Sequence, residues 1–271
     1  MQKKQNLHTH STFCDGVNTP REMIEIAIEK GFDSIGFSGH SPMHYSPSYG
    51  MTAEATQLYI NEIFKLKKEY AGKFDVFCGI EYDMFSDVDL TPYEYAIGSV
   101  HYLPINGEFV GIDRSEAEVE RVIKEYFSGD GLQYAKCYYE NLSRLPDYGK
   151  FDIVGHFDII AKHCEKRHFF DVNSKEYIGL AVEAAEALAG KTPLFEVNTG
   201  AISRGYRTTP YPSIPILKEL KRLGFGAIVS SDCHDGRNLD CHFAQSYELL
   251  RHCGFKEYYV LTDSGFKPVK L

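Results

Sequence analysis

Histidine and carboxylate residues follow short apolar runs at intervals along most of this chain. The first run leads into His8-Thr9-His10, whose imidazoles share one face of an extended strand because side chains alternate across a strand. Ligand-type residues also end later runs, at Gly39-His40, Ile80-Glu81, Val100-His101, Gly155-His156 and Ser231-Asp232-Cys233-His234. One His-x-His is as typical of ordinary strand-end histidines as of a metal site, but the recurrence predicts a shared site.

Strand-like and helix-like segments alternate along the chain. The apolar runs predict strands over 4–10, 33–40, 74–82, 95–101, 152–158, 193–200, 225–232 and 258–261. The predicted helices cover 20–30, 52–70, 115–145 with a break at 129–131, 173–188, 212–223 and 238–251. Capping boxes at Thr19 to Glu22 and Ser115 to Glu118 open two of these helices. Residues 162–171 are predicted as a polar loop, and 41–50 as a wall or lid over a site.

This order of elements constrains the fold class. Strands that alternate with helices predict a parallel sheet. Ligand-type residues at every strand end favour a closed α/β barrel, similar to a TIM barrel, over an open doubly wound sheet. The 271 residues are 43% apolar and 25% charged, so we expect one domain over 1–271.

Composition also bounds the compartment and the partners. No run approaches the roughly 18 apolar residues of a membrane span, and residues 1–5 lack the apolar region of a signal peptide, which favours the cytoplasm. The seven cysteines lack a Cys-x-x-Cys pair and predict free thiols. Cys14 and Cys233 lie beside ligand positions, but we expect them to line the site rather than bind metal. A net charge of −9 argues against nucleic acid as a partner.

In a parallel barrel the carboxyl ends of all strands meet on one face. We therefore expect nine residues to converge there, namely His8, His10, Asp15, His40, Glu81, His101, His156, Asp232 and His234. Because one zinc ion takes three or four protein ligands, nine ligands imply two or three metal ions, with a carboxylate such as Glu81 as a bridge. This mixed donor set suits zinc, iron or manganese equally.

These motifs resemble those of the polymerase and histidinol phosphatase (PHP) family. The resemblance covers essentially the whole chain in order and rests on His8-Thr9-His10 with Asp15, Gly39-His40-Ser41, Glu81, His101, Gly155-His156-Phe157-Asp158, Asn198-Thr199-Gly200 and Ser231-Asp232-Cys233-His234. Cys233 departs from the small residue expected at its position. The chain length and the step Gly39-His40-Ser41-Pro42 are similar to those of the stand-alone histidinol-phosphate phosphatases of the family.

The resemblance implies a distorted (β/α)7 barrel with a trinuclear metal centre. It assigns the nine ligands to three metals, the first held by His8, His10, Glu81 and Asp232, the second by Glu81, His101 and His156, and the third by Asp15, His40 and His234. It gives catalytic roles to Glu81, Asp232 and His234. The implied reaction is the attack of a metal-bridging hydroxide on L-histidinol phosphate, which yields L-histidinol and phosphate in histidine biosynthesis.

A phosphate ester also needs a cationic partner and contacts for the rest of the substrate. Arg204 is the first candidate for the phosphoryl group because guanidinium binds phosphate bidentately, and Arg207 is the second. Asn198 and His44 are further candidates for substrate contacts. Either arginine is alternatively a solvated loop residue, and His44 is alternatively a loop histidine in solvent. We expect His163, His168, His242 and His252 to be ordinary histidines outside the site.

Three other functions remain open at this stage. The same centre would hydrolyse another small phosphomonoester, such as a nucleotide or a sugar phosphate. A binding or structural barrel would retain the ligands without chemistry. A single-metal hydrolase of the amidohydrolase type shares the His-x-His strand, but Asp15 and Glu81, in place of a lysine at the fourth strand, count against it. The sequence does not indicate an oligomeric state.

Overall fold

The computed structural model describes residues 3–46 and 49–271. In chain order, its strands are β1 (Gln5–Asn6), β2 (Ser34–Phe37), β3 (Asp75–Asp83), β4 (Tyr95–Ser99), β5 (Tyr102–Ile105), β6 (Glu108–Gly111), β7 (Ile153–Val154), β8 (Leu194–Asn198), β9 (Gly226–Ser230), β10 (Glu257–Thr262) and β11 (Gly265–Lys270). Its α-helices are α1 (Pro20–Glu29), α2 (Ala53–Tyr70), α3 (Glu116–Tyr126), α4 (Gly131–Leu142), α5 (Cys164–Arg167), α6 (Lys175–Leu188), α7 (Gly200–Ser203), α8 (Ile214–Arg222) and α9 (Phe243–His252).

Seven strands form one parallel sheet in the order β1-β2-β3-β4-β7-β8-β9. The chain beyond β1 meets the chain beyond β9, where the amide of His10 donates to the carbonyl of Cys233 at 2.9 Å. The amide of Cys233 in turn donates to the carbonyl of His8 at 3.1 Å. These bonds join the two edges of the sheet, so the predicted distorted (β/α)7 barrel is confirmed.

Side-chain alternation separates the two faces of each strand. In β8, Leu194 belongs to a small buried cluster inside the barrel, whereas Phe195 packs into the large core beneath the helices. The inner cluster is Leu7, Phe77, Tyr95, Ile97, Ile153, Leu194, Ile228 and Leu261. The inner face of β8 continues from Leu194 to Glu196 and Asn198, so apolar positions near the strand start give way to polar ones. This polarity places the functional side chains at the carboxyl end.

Both predicted capping boxes are present. Thr19 accepts from the amide of Glu22, and Ser115 accepts from the amide of Glu118, with each glutamate returning to the cap residue. All seven cysteines are free thiols. Within the described parts of the chain, no helix is long and apolar enough to cross a membrane.

Several predicted boundaries were wrong. Continuous strand pairing covers only Gln5–Asn6 and Ile153–Val154 in the first and fifth strands, and an isolated bridge joins Thr9 to Cys233 beyond β1. The predicted strand 258–261 is present as β10, but its partner β11 and the β5–β6 hairpin were not predicted. A short helix, Cys164–Arg167, interrupts the predicted loop 162–171, and the last helix begins at Phe243 rather than near 238. Of the predicted lid 41–50, residues 47 and 48 lie outside the described residues.

Candidate metal centre

All nine predicted ligands lie at the carboxyl ends of the barrel strands. Glu81 lies within β3, two residues before its end. The other eight follow a strand of the parallel sheet, namely β1 for His8, His10 and Asp15, β2 for His40, β4 for His101, β7 for His156, and β9 for Asp232 and His234. Eight of the nine belong to three overlapping clusters of donor atoms, and His156 lies next to them, with Nε2 2.9 Å from Glu81 Oε1. The fold thus brings together residues from the two ends of the chain.

The first group contains His8, His10, Glu81 and Asp232. His8 Nε2 lies 3.2 Å from Glu81 Oε2, and His10 Nε2 lies 3.3 Å from Asp232 Oδ1. Both imidazoles are fully buried. The donor atoms of His8, His10 and Asp232 all lie within 4.8 Å of one another, a spacing that allows a shared metal ion.

The second group lies around the other oxygen of the same glutamate. His156 Nε2 lies 2.9 Å from Glu81 Oε1, and His101 Nε2 lies 3.4 Å from it. The two Nε2 atoms are 3.1 Å apart. Glu81 therefore faces two groups of ligands with its two oxygens, which is the geometry of a bridging carboxylate.

The third group contains Asp15, His40 and His234. Asp15 Oδ2 lies 3.2 Å from His234 Nε2, and Asp15 Oδ1 lies 3.8 Å from His40 Nε2. His10 and His40 also belong to neighbouring clusters, since His40 Nδ1 lies 2.8 Å from Glu81 Oε2. The distances bring the predicted ligands together, but the division into three sets stays a prediction.

The residues present fit metal ions by their unsatisfied buried donors and by the ionised form of Glu81. His8 Nε2, His10 Nε2 and Glu81 Oε2 are buried and form no hydrogen bond with the described residues. Burial, together with the charges of His234 and His40, lowers the pKa of His10 to about 3. Burial opposes ionisation of Glu81, but His8, His40 and His101 lower its pKa well below the usual range. Burial opposes the charge of His8 and His101, but neighbouring carboxylates raise the pKa of His8 well above its usual value and that of His101 to about 9. Since metal binds neutral imidazole, metal binding would release protons from these two side chains.

Two carboxylates behind the ligands orient the imidazoles. Glu196 Oε2 lies 2.9 Å from His8 Nδ1, and Glu196 Oε1 accepts from the amide of His156 at 2.7 Å. Asp83 Oδ2 lies 3.0 Å from His101 Nδ1. Neither carboxylate was among the predicted site residues. The sequence does contain features that indicate both. Glu196 is a carboxylate within an apolar strand, and Asp83 lies two residues after Glu81, on the same face of its strand.

A cavity of about 350 Å³ opens over the cluster, and Arg204 lines it. The guanidinium Nη2 of Arg204 lies 3.0 Å from Asp232 Oδ2, and Nη1 lies 3.0 Å from His234 Nδ1. Burial opposes its charge, but Asp232 raises the pKa of Arg204 above its usual value. A permanent cation therefore stands beside the ligands. Other described residues in the cavity wall are Tyr49, Asp113, Arg114, Ile159, Lys162, Tyr206 and Tyr211.

The other three predicted substrate contacts are not among the described residues that line this cavity. Asn198 is buried, and its amide is used by Glu196, Asp232 and the amide of Gly200. His44 is exposed and lies against the ring of Tyr45. The placement of these side chains does not support direct substrate contact.

Arg207 is neither in the wall of the cavity over the cluster nor in solvent, the two positions that the sequence left open. It is buried, so it is not a solvated loop arginine, and it faces a separate cavity of about 1080 Å³. Its Nη1 lies 3.8 Å from Asp158 Oδ1, and its guanidinium stacks over the ring of Tyr211 at 4.6 Å. Arg207 thus supports the back of the cavity wall.

The remaining four histidines lie outside the clusters that the described residues form. His163 is buried rather than in a solvated loop, and its Nε2 lies 2.6 Å from the carbonyl of Arg114. His168 ends α5 and His242 precedes α9, both with left-handed backbone, and His252 ends α9.

Fold and site together define a class of protein, a parallel seven-stranded α/β barrel with a histidine and carboxylate cluster at its carboxyl end. The PHP domain family matches residues 6–200. The chain therefore belongs to the PHP domain family. Asp232 and His234 lie beyond the matched segment and join the cluster through the closure of the barrel.

Two curated relatives match over nearly their full lengths. A probable histidinol-phosphatase of Deinococcus radiodurans is 27% identical over 263 residues, which cover 91% of this chain and 92% of that protein. The histidinol-phosphatase of Bacillus subtilis is 28% identical over 258 residues, which cover 86% of this chain and 94% of that protein.

A solved structure has the same fold. The histidinol phosphate phosphatase of Lactococcus lactis, complexed with zinc, L-histidinol and phosphate, matches with a TM-score of 0.75 and 22% identity. The match covers 98% of this chain and 99% of the other. The likeness extends over the whole barrel, including its C-terminal strands.

Proposed function

We propose that this chain is a metal-dependent phosphatase that hydrolyses L-histidinol phosphate to L-histidinol and phosphate. The observation that carries the proposal is one cavity that combines the histidine and carboxylate cluster with the guanidinium of Arg204. Similarity to proteins named histidinol-phosphatase supports the choice of substrate. The L. lactis structure, with zinc, L-histidinol and phosphate, has the same fold and supports it further.

The ligand assignment follows the three groups of side chains. We assign His8, His10, Glu81 and Asp232 to the first metal, Glu81, His101 and His156 to the second, and Asp15, His40 and His234 to the third. The donor set suits zinc, iron or manganese. When bound, such ions supply an activated water and positive charge toward the phosphoryl oxygens.

The residues around the cluster hold its parts in place. Glu81 joins the first and second groups because one oxygen faces His8 and the other faces His156. Asp232 directs Oδ1 toward His10 and pairs Oδ2 with Arg204, so it holds the guanidinium next to the ligands. Arg204 then offers the N–H groups that Asp232 and His234 leave free to the phosphoryl oxygens of the substrate.

We place this activity in the cytoplasm and in histidine biosynthesis, in a single domain over 1–271. The seven free thiols fit a reducing compartment. The net charge of −9 fits a small-molecule substrate rather than a nucleic-acid backbone.

The first test combines metal content with phosphate release. Protein purified without chelator is expected to contain two to three metal ions per chain by elemental analysis. It should release phosphate from L-histidinol phosphate, and chelation should abolish the release. Arg204→Met should keep the metal content and lower kcat/KM by about 10²-fold, as expected for the loss of one charge-stabilising group. Arg251→Met, on the exposed side of α9, is the matched control and should behave as wild type.

The alternatives give different results in the same experiment. About one metal per chain without phosphate release would favour a single-metal hydrolase or a binding barrel. Equal rates on a panel of nucleotide, sugar and histidinol phosphates would indicate a phosphoesterase with another substrate.

A further inference from the structure

The cavity over the cluster contains one carboxylate that the metal assignment leaves unused. Four acidic residues line the cavity, namely Asp15, Glu81, Asp113 and Asp232. Three of them belong to the clusters that could hold metal ions. Asp113, which lies between β6 and α3, is the fourth.

The carboxylate of Asp113 is ionised and has bonding capacity left. Its side chain is 28% exposed, and its one ion pair among the described residues is with Lys162 Nζ, 3.4 Å from Oδ2. Lys162 makes a shorter bond of 2.7 Å to the main-chain oxygen of Asp113. Burial opposes the negative charge, but Lys162, His101 and His156 lower the pKa of Asp113 to about 2. Asp113 lines the same cavity as His101 and His156, so its carboxylate and the cluster border one space.

The two cationic neighbours of Asp113 are held by the cavity wall. Arg114 Nη2 donates to the hydroxyl of Tyr102 at 2.6 Å, and Lys162 Nζ lies 4.5 Å from the centre of the Tyr206 ring. Arg204 is paired with Asp232 on the cluster side. Asp113 is therefore the carboxylate available to a cation that enters the cavity. The rings of Tyr206 and Tyr211 line the same cavity and also favour cations.

We propose that Asp113 binds the ammonium group of the substrate and makes the enzyme selective for phosphate esters that carry an amine. The inference rests on the proposed function. In L-histidinol phosphate the ammonium group is two carbon atoms from the ester oxygen. With the phosphoryl group at Arg204 and the cluster, the ammonium group stays within the same cavity of about 350 Å³.

The test compares two substrates that differ only in the amine. The substrates are L-histidinol phosphate and 3-(imidazol-4-yl)propyl phosphate. Asp113→Asn should raise KM for the amine ester by about 10- to 100-fold, the loss expected for one charged hydrogen bond. It should leave KM for the amine-free ester unchanged. Asp240→Asn is the matched control, because Asp240 also pairs with lysines and has a side chain that is 33% exposed.

Binding gives a second measurement that does not depend on turnover. By calorimetry, Asp113→Asn should weaken L-histidinol binding and leave inorganic phosphate binding unchanged, with wild-type metal content and unfolding midpoint. Equal losses for both esters, or equal kcat/KM of the wild-type enzyme on both, would overturn the role of Asp113. A wild-type enzyme that releases phosphate from neither ester would instead contradict the proposed function.

Discussion

Among single residues, Glu196 shows how a side chain outside the predicted ligand set controls the cluster. It is fully buried, and its two oxygens accept from four groups, namely His8 Nδ1, the amide of His156, Asn198 Nδ2 and Ser230 Oγ. When His8 Nδ1 donates to this carboxylate, Nε2 is left as a lone-pair donor toward the cluster. Burial opposes its charge, but His8 lowers the pKa of Glu196. Glu196 is therefore a positioning residue.

Glu196→Gln is expected to lower metal affinity by about 10- to 100-fold. The glutamine amide would replace one acceptor oxygen with an N–H donor, although the groups around it, His8 Nδ1 among them, are donors. Competition with a chromophoric chelator measures the affinity directly. Glu186→Gln, at a position on α6 that is 57% exposed, is the control and should not change it. Unchanged affinity in Glu196→Gln would show that the carboxylate does not orient His8.

At the scale of elements, one tyrosine links three barrel strands. Tyr95 begins β4 and points into the barrel, where its hydroxyl donates to the carbonyls of Leu7 at 2.5 Å and Phe37 at 3.0 Å. Neighbouring strands make room for its ring with glycine. A Cβ at Gly36 would lie 2.5 Å from the Tyr95 hydroxyl, and one at Gly79 would overlap the ring. Large and small side chains thus alternate around the interior.

Gly79→Ala should therefore destabilise the protein by about 1–3 kcal/mol, because the added methyl group overpacks the barrel against Tyr95. Urea unfolding measures the change. Gly179→Ala is the matched control, since Gly179 lies within α6 with open space around its Cα. That change should stabilise the helix by up to about 1 kcal/mol. Equal effects of the two substitutions would exclude packing against Tyr95 as the cause.

The hairpin formed by β10 and β11 closes the barrel at the amino ends of its strands, opposite the metal centre. Leu261 of β10 belongs to the inner cluster, and its main chain exchanges hydrogen bonds with the side chain of Gln5, at 2.7 and 2.9 Å. Strand β11 was not predicted because Pro268 lies within it and is atypical of a strand interior. The proline is tolerated because this strand pairs on one side only, in a two-stranded sheet.

At the scale of the whole molecule, the clustered ligands couple metal binding to stability. Side chains that come together only in the folded barrel cannot form the same site in the unfolded chain. Binding to the folded state alone stabilises it by about 2.7 kcal/mol when free metal is at 100 times its Kd.

Removal of metal by a chelator should therefore lower the midpoint of thermal unfolding by roughly 5–10 °C, and added manganese or zinc should restore it. Scanning calorimetry measures the shift. A variant with His10→Ala and Asp232→Asn should show a smaller response to metal, because two of the three members of one cluster are lost. A midpoint that does not depend on metal in the wild-type protein would contradict this coupling.

Local chemistry was sufficient to predict several parts of this protein. Alternating apolar segments predicted the seven parallel strands, and Thr19 and Ser115 marked helix starts because capping is set by neighbours a few residues away. The ligand candidates could be recognised because each ends an apolar strand, and barrel topology places such ends on one face. Glu196 could also have been found, because it is a carboxylate in the middle of the otherwise apolar segment Leu194 to Val197.

Only the tertiary structure decided which arginine faces the cluster. Arg204 and Arg207 lie three residues apart in the sequence, but the short helix α7 turns the first toward Asp232 and leaves the second with Asp158. The tertiary structure also placed Asp113 in the cavity wall, directly after the β5–β6 hairpin, which had not been predicted. A residue's contacts across the fold depend on the packing of distant elements, whereas periodicity and caps depend on neighbours in the chain.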